Sequence, residues 1–159
     1  MKRYLLLLPL LVCLAACGSS PSPSTHTPSP TPTTGAYRVG QVVTVPGWQI
    51  TIVSTKTATN IGLMSPAQHT DRFLVLQVTL RNTSKAAATA SETSFYCLGA
   101  DGTKYALVAA DPPSIDGQVA AGQSTSRQVD YEVPASAKLF TLQYRSDAGA
   151  VLATWQFSG

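Results

Sequence analysis

The stretch DRFLVLQVTLRN, Asp71 to Asn82, decides the fold class. In an extended chain successive side chains alternate between faces, so Leu74, Leu76, Val78 and Leu80 line one side together. Phe73 and Val75 begin the opposite side. A strand that is apolar on both faces at its start belongs in the middle of a sheet, and this one is expected there. Upstream, Val39 to Val45 and Trp48 to Ser54 read as a hairpin. Pro46 presets the first central residue of a type II turn, and Gly47 takes the positive φ that the next position needs.

Downstream the same signals recur. Asp101-Gly102 predicts a second hairpin joining Phe95–Leu98 to Tyr105–Val108. A loop follows from Asp111 to Gln118, then a turn at Ala121-Gly122. Val129, Tyr131 and Val133 alternate with polar residues until Pro134 ends that strand. Phe140, Leu142 and Tyr144 form another, and Val151, Ala153, Trp155 and Phe157 share one face of the last. No stretch keeps a 3.6-residue apolar period, so the domain is expected to be nearly all β. About eight short strands at this spacing predict a two-sheet antiparallel sandwich, with a small barrel as the alternative.

Ahead of this domain lie two segments of different composition. Lys2 and Arg3 precede an apolar run from Leu5 to Leu14, interrupted by Pro9; it is too short to span a bilayer and has the form of an export signal. The run ends in Leu14-Ala-Ala-Cys17, which resembles the lipobox of bacterial lipoproteins. That resemblance implies removal of residues 1–16 and a mature chain whose Cys17 sulfur carries a diacylglyceryl group. A cysteine suits the chemistry because its thiolate is a strong nucleophile. At about 0.8 kcal/mol per buried methylene, two or three acyl chains hold a protein on a membrane essentially permanently.

Residues 18–36 read GSSPSPSTHTPSPTPTTGA, in which 15 of 19 are Ser, Thr or Pro and none is charged. Such a segment buries no core. With residues 17–36 acting as an anchor and spacer, alternating prolines in polyproline II conformation at ~3.1 Å per residue would hold the domain up to roughly 50 Å from the bilayer. Residues 37–159 remain for the folded unit.

The succession Val39-Gly40, Phe73 to Asn82, Ala100-Asp-Gly-Thr-Lys-Tyr105, Ala121-Gly122, Tyr131-Glu-Val-Pro134 and Phe140-Thr-Leu-Gln-Tyr144 is similar to the immunoglobulin-like domains of unknown function, of the DUF4352 type, found in bacterial surface lipoproteins. The resemblance covers residues 38 to about 157. It implies an immunoglobulin-like β-sandwich and an extracytoplasmic location; it carries no catalytic residues with it.

The residues themselves offer little chemistry. Without the leader the chain has nine basic and eight acidic residues, 11 − 2 against 8, a balance that gives no electrostatic case for nucleic acid. Cys97 alternates with Tyr96 and Leu98 in a strand and reads as a small core residue; with no second cysteine in the domain, packing and not a disulfide must hold it. Met64 and His69 share a long Gly/Ser/Pro-interrupted segment, residues 57–70, and are the weak candidates for a soft, copper-type metal site. Asp111 and Asp116 flank a proline-rich loop that would chelate calcium only weakly. No G-x-S-x-G motif is present, and a hydrolase triad would have to use His69. Asn82-Thr83-Ser84 matches a glycosylation sequon, which means little in a bacterium.

The expectation is a non-enzymatic module, without a cofactor, that meets an envelope protein or extracellular ligand through the loops at 57–70 and 111–121. The alternative is a carrier of a metal or small ligand. Membrane contact is through the lipid alone.

Overall fold

The computed structural model describes residues 35–64, 66, 68, 70–108 and 115–159. Among them are ten strands: β1 (Val42–Val45), β2 (Trp48–Ala58), β3 (Asp71–Asn82), β4 (Ala88–Ala90), β5 (Phe95–Gly99), β6 (Ala106–Val108), β7 (Gly117–Val119), β8 (Ser124–Pro134), β9 (Leu139–Arg145) and β10 (Val151–Ser158). A single 3-10 turn, Glu92–Ser94, precedes β5. The order β1-β2-β3-β8-β6 makes one sheet and β10-β9-β5 a second; β4 and β7 pair as a short ribbon. The two sheets face each other as a sandwich and do not close into a barrel.

β3 spans the predicted residues and sits at the centre of its sheet, paired with β2 on one side and β8 on the other. Its two apolar faces have different destinations. Leu74, Leu76, Val78 and Leu80, all fully buried, point between the sheets to meet Phe95, Cys97, Phe140, Leu142 and Trp155. Phe73 and Val75 point outward and join Ile61 in a second cluster, against which Ala58 and Val108 pack. Burial of each such side chain contributes roughly 1.5–3 kcal/mol, so the main cluster carries most of the stability.

The Pro46-Gly47 hairpin forms as expected, with Gly47 at φ 81° and Val45 opposite Trp48. It is longer on one arm than the sequence indicated, because β2 continues past a bulge between Ile52 and Ser54 as far as Ala58. β8 and β9 bury the alternating sets Val129, Tyr131, Val133 and Phe140, Leu142, Tyr144.

Four expectations need correction. There are ten strands and not about eight, because β4 and β7 are three residues each, too short for alternation to show. The loop expected from Asp111 to Gln118 accordingly ends in a strand. The Asp101-Gly102 turn closes on β5 only briefly, through Gly99 N–H to the Thr103 carbonyl at 2.8 Å and Tyr105 N–H to the Cys97 carbonyl at 2.9 Å. From Ala106 the chain leaves β5 and pairs with β8 in the other sheet. Finally, Val151 does not share the face of Ala153 and Trp155: a bulge between Val151 and Ala153 turns Val151 out to solvent, 40% exposed.

Strand directions give the sandwich two distinct ends. One, here the upper end, carries the Pro46-Gly47 turn, the β4–β7 ribbon, the 3-10 turn and the β9–β10 turn. The lower end carries residues 59–64, the Asp101-Gly102 turn and the β8–β9 turn.

Candidate functional site

Each side chain singled out by sequence has its own surroundings. Cys97 is fully buried in β5, and burial pushes its thiol up to about 12, so it is protonated at neutral pH and inert as a nucleophile. Met64 closes a tight turn at the lower end, where Ile61 and Met64 exchange both backbone hydrogen bonds at 3.2 and 2.8 Å. Gly62 takes φ 54° there, and Leu63 stands fully exposed beside Met64, itself 38% exposed. An exposed Met64 and a sealed Cys97 do not share a site. Asp116 is exposed and accepts the Glu92 N–H at 2.8 Å, tying the start of β7 to the 3-10 turn. Cys17, His69 and Asp111 lie outside the described residues. Among those described, no three His, Cys, Asp or Glu side chains cluster where they would hold a metal ion. The described parts of the two loops do not form one surface either, since residues 59–64 lie at the lower end and β7 at the upper.

What the fold does bring together is a groove of about 480 Å³ at the upper end, between the β1–β2 hairpin of one sheet and the β9–β10 hairpin of the other. Its apolar side is Pro46, Trp48, Tyr144 and Leu152. Leu152 reaches it because the bulge that expels Val151 turns its neighbour inward against the core. Tyr144 is fixed edge-on against Phe95, with ring centroids 5.0 Å apart. Desolvation and the nearby Asp147 carboxylate push the Tyr144 phenol up, opposed by a hydrogen bond with Ser94. It therefore stays neutral and able to donate.

The polar side is mostly hydroxyl. Ser91 caps the 3-10 turn, its Oγ accepting the Thr93 N–H at 3.4 Å. Ser146 opens the β9–β10 turn, where its Oγ accepts the Ala150 N–H at 3.2 Å. Ser94 and Asp147 complete that rim. Arg145 is held by Gln143 Oε1, at 2.6 Å from Nη2 and 3.1 Å from Nε, and its guanidinium lies 4.5 Å from the Tyr96 ring centre. Lys104 Nζ lies 4.2 Å from the same ring centre. A smaller recess of about 280 Å³ continues from the groove past Ser94 and Ser146 to Tyr96.

An apolar side set against a rim of hydroxyls is an arrangement suited to binding. Sequence reasoning passed over it. The readable signals were Ser91-Glu-Thr-Ser94 ahead of a strand, which is an N-cap pattern, and Ser146-Asp-Ala-Gly149, a hairpin turn. Each looks structural alone, and only the pairing of strands from two sheets makes them one wall.

Comparison with known proteins places the fold. A crystal structure of MPT63, a secreted protein from Mycobacterium tuberculosis, superposes with a TM-score of 0.59 at 14% identity, over 79% of this chain and 100% of that one. ycdA of Bacillus subtilis, a candidate lipoprotein, gives 0.57 at 17% identity over 70% of this chain and 36% of that one, so the present chain spans about a third of it. An uncharacterized β-sandwich protein from Clostridium difficile gives 0.52 at 13% identity over 78% and 94%. At these identities the likeness is one of fold. No curated protein matches the chain. Residues 37–151 match the family model described as a domain of unknown function, DUF4352.

Proposed function

Because the chain belongs to the DUF4352 family of domains, we propose that it is a lipid-anchored extracytoplasmic interaction module that takes its ligand in the upper groove. Two observations support this reading. The lipobox-like run ending at Cys17 supplies the anchor, and the names of the structural relatives, a candidate lipoprotein and a secreted protein, suit an exported location. Among the described residues no helix is long and apolar enough to cross a membrane; the proposed means of retention is the acyl group on Cys17.

The groove carries the functional part of the reading. It combines an apolar side with a ring of hydroxyls and with Arg145 and Asp147 at its rim, the mixture by which binding sites set affinity and orientation. A photocrosslinking residue at Ser146, with a control at Ser126 on the outer face of the five-stranded sheet, tests it in intact envelopes. Specific adducts are expected from position 146 and not from 126. Equal labelling from both positions would remove the groove as the binding site.

A further inference from the structure

We infer that the upper groove is a docking site for the chain's own proline-rich segment, residues 27–34, bound in polyproline II conformation. The inference rests on the proposed role of that groove as a binding site and names its first occupant.

The starting observation is the path of the chain into the sandwich. Tyr37 bridges β10 in parallel: its N–H donates to the Thr154 carbonyl at 2.8 Å and its carbonyl accepts the Gln156 N–H at 3.3 Å. Its ring lies 5.9 Å from that of Trp155. A parallel neighbour runs in the direction of β10, so the residues before Tyr37 lead back toward the start of that strand. Val151 and Leu152 are at that start, and Leu152 lines the groove. Trp155 and Leu152 are three residues apart, about 10 Å at ~3.3 Å per residue, so a continuing chain comes level with Leu152 near Thr34. The proposal accordingly puts the segment TPSPTPTT, residues 27–34, at the mouth of the groove.

The chemistry of the two partners matches. A polyproline II chain has no internal hydrogen bonds, so its carbonyls stay available, while its proline rings present flat apolar surfaces. Grooves that read such chains combine aromatic walls for the rings with donors for the carbonyls. Here Pro46 supplies the wall together with the 7% of Trp48 and of Tyr144 that stays exposed, and Ser91, Ser94 and Ser146 supply hydroxyl donors. Pro28, Pro30 and Pro32 fall on three different edges of a threefold helix, so every edge of the segment offers one ring. Because ligand and site are linked by a few residues, the effective concentration is of order millimolar, and even a weak site fills. Docking would draw the domain toward its anchor, and a partner that displaces the segment would release it to full reach.

The test uses residues 18–159 expressed without the leader, carrying a nitroxide at Thr31→Cys; Cys97 is sealed and leaves position 31 as the labelled thiol. Paramagnetic broadening is expected at the Trp48 indole and the amides of Ser91 and Ser146, with Gly62 at the lower end unaffected. Replacing Pro28, Pro30 and Pro32 by Gly should abolish the groove broadening, and a synthetic peptide of residues 20–34 should move the same amides in a chain beginning at Gly35. Broadening that fades smoothly away from Tyr37, equal in the native and triple-Gly chains, would overturn docking. So would broadening centred at the lower end. Neither result would touch a specific Ser146 crosslink to another molecule, so failure of docking is distinguishable from failure of the groove as a binding site.

Discussion

Asn82 shows how one residue knits an end of the sandwich. It is fully buried, its Nδ2 donates to the carbonyls of Ala86 and Val119 at 2.8 Å each, and its Oδ1 accepts from the Ser84 N–H at 2.8 Å and Ser84 Oγ at 2.6 Å. Its apparent sequon is therefore a structural clamp. Asn82→Asp would turn a carboxylate oxygen onto two carbonyls, and a loss of roughly 3–5 kcal/mol is expected in urea unfolding, as for a buried charge left without a partner. Asp130 presents the opposite case. It too is fully buried, with Oδ2 accepting from Gln128 Nε2 at 2.7 Å and Oδ1 without a hydrogen-bond partner. Burial raises its pKa; Gln128 and Lys56 pull it down, and Glu92 adds to the rise. A carboxyl raised in the folded state binds its proton more tightly there than when unfolded. Its contribution to stability is thus present at low pH and is lost between its unfolded value, about 4, and the higher folded value. Asp130→Asn should flatten that fall and stabilise the domain at pH 7, read from urea midpoints across pH. A variant that keeps the native slope would show the slope to come from another group.

Among the elements, β3 carries the most. Its inward row spans the main cluster, so Leu76→Ala should cost about 2–5 kcal/mol through the cavity left in a fully packed interior, and Trp155→Ala a comparable amount. Val42→Ala on β1, 59% exposed, is the control and should fall within about 0.5 kcal/mol of native. β3 was also the most legible element, since twelve residues with alternating Leu and Val leave no competing reading. Legibility fell as elements shortened or were shared between sheets. Ala88–Ala90 and Gly117–Val119 have no period to detect, and their pairing joins residues 27 to 31 apart. The Asp101-Gly102 turn was read correctly as a turn, but nothing local says that Tyr105 will be the last residue beside β5 and Ala106 the first beside β8. The bulge that ejects Val151 is likewise set by packing of Leu152, not by the apolar string itself. The groove inherits these difficulties, because its walls are short turns brought together by long-range pairing.

At the scale of the whole molecule, the domain is held by packing between its two sheets. The one cysteine of the described residues is a free, buried thiol, so reductant should leave the melting temperature unchanged; a reductant-sensitive melt in monomeric protein would show that packing alone does not hold the domain. Cys17→Ser should move the protein from the membrane fraction to the soluble exported fraction or stall removal of the leader, and unchanged retention would remove the lipid anchor from the proposal. If Cys17 is lipidated as proposed, the protein is also a loaded one. When a partner holds the domain and the cell surface moves, tension enters at Tyr37, whose segment lies parallel to β10 and leaves by the upper end. The pull then runs along the strands. It shears the Tyr37 hydrogen bonds and its ring contact with Trp155 together, whereas a crosswise pull would peel them one at a time. Once they part, the load passes to the next tie, the Gly40 N–H to the Ile52 carbonyl at 2.7 Å, and then to β1, itself held lengthwise against β2. Under the proposed anchoring, the parallel bridge would be the first tie to yield, before the paired strands are strained.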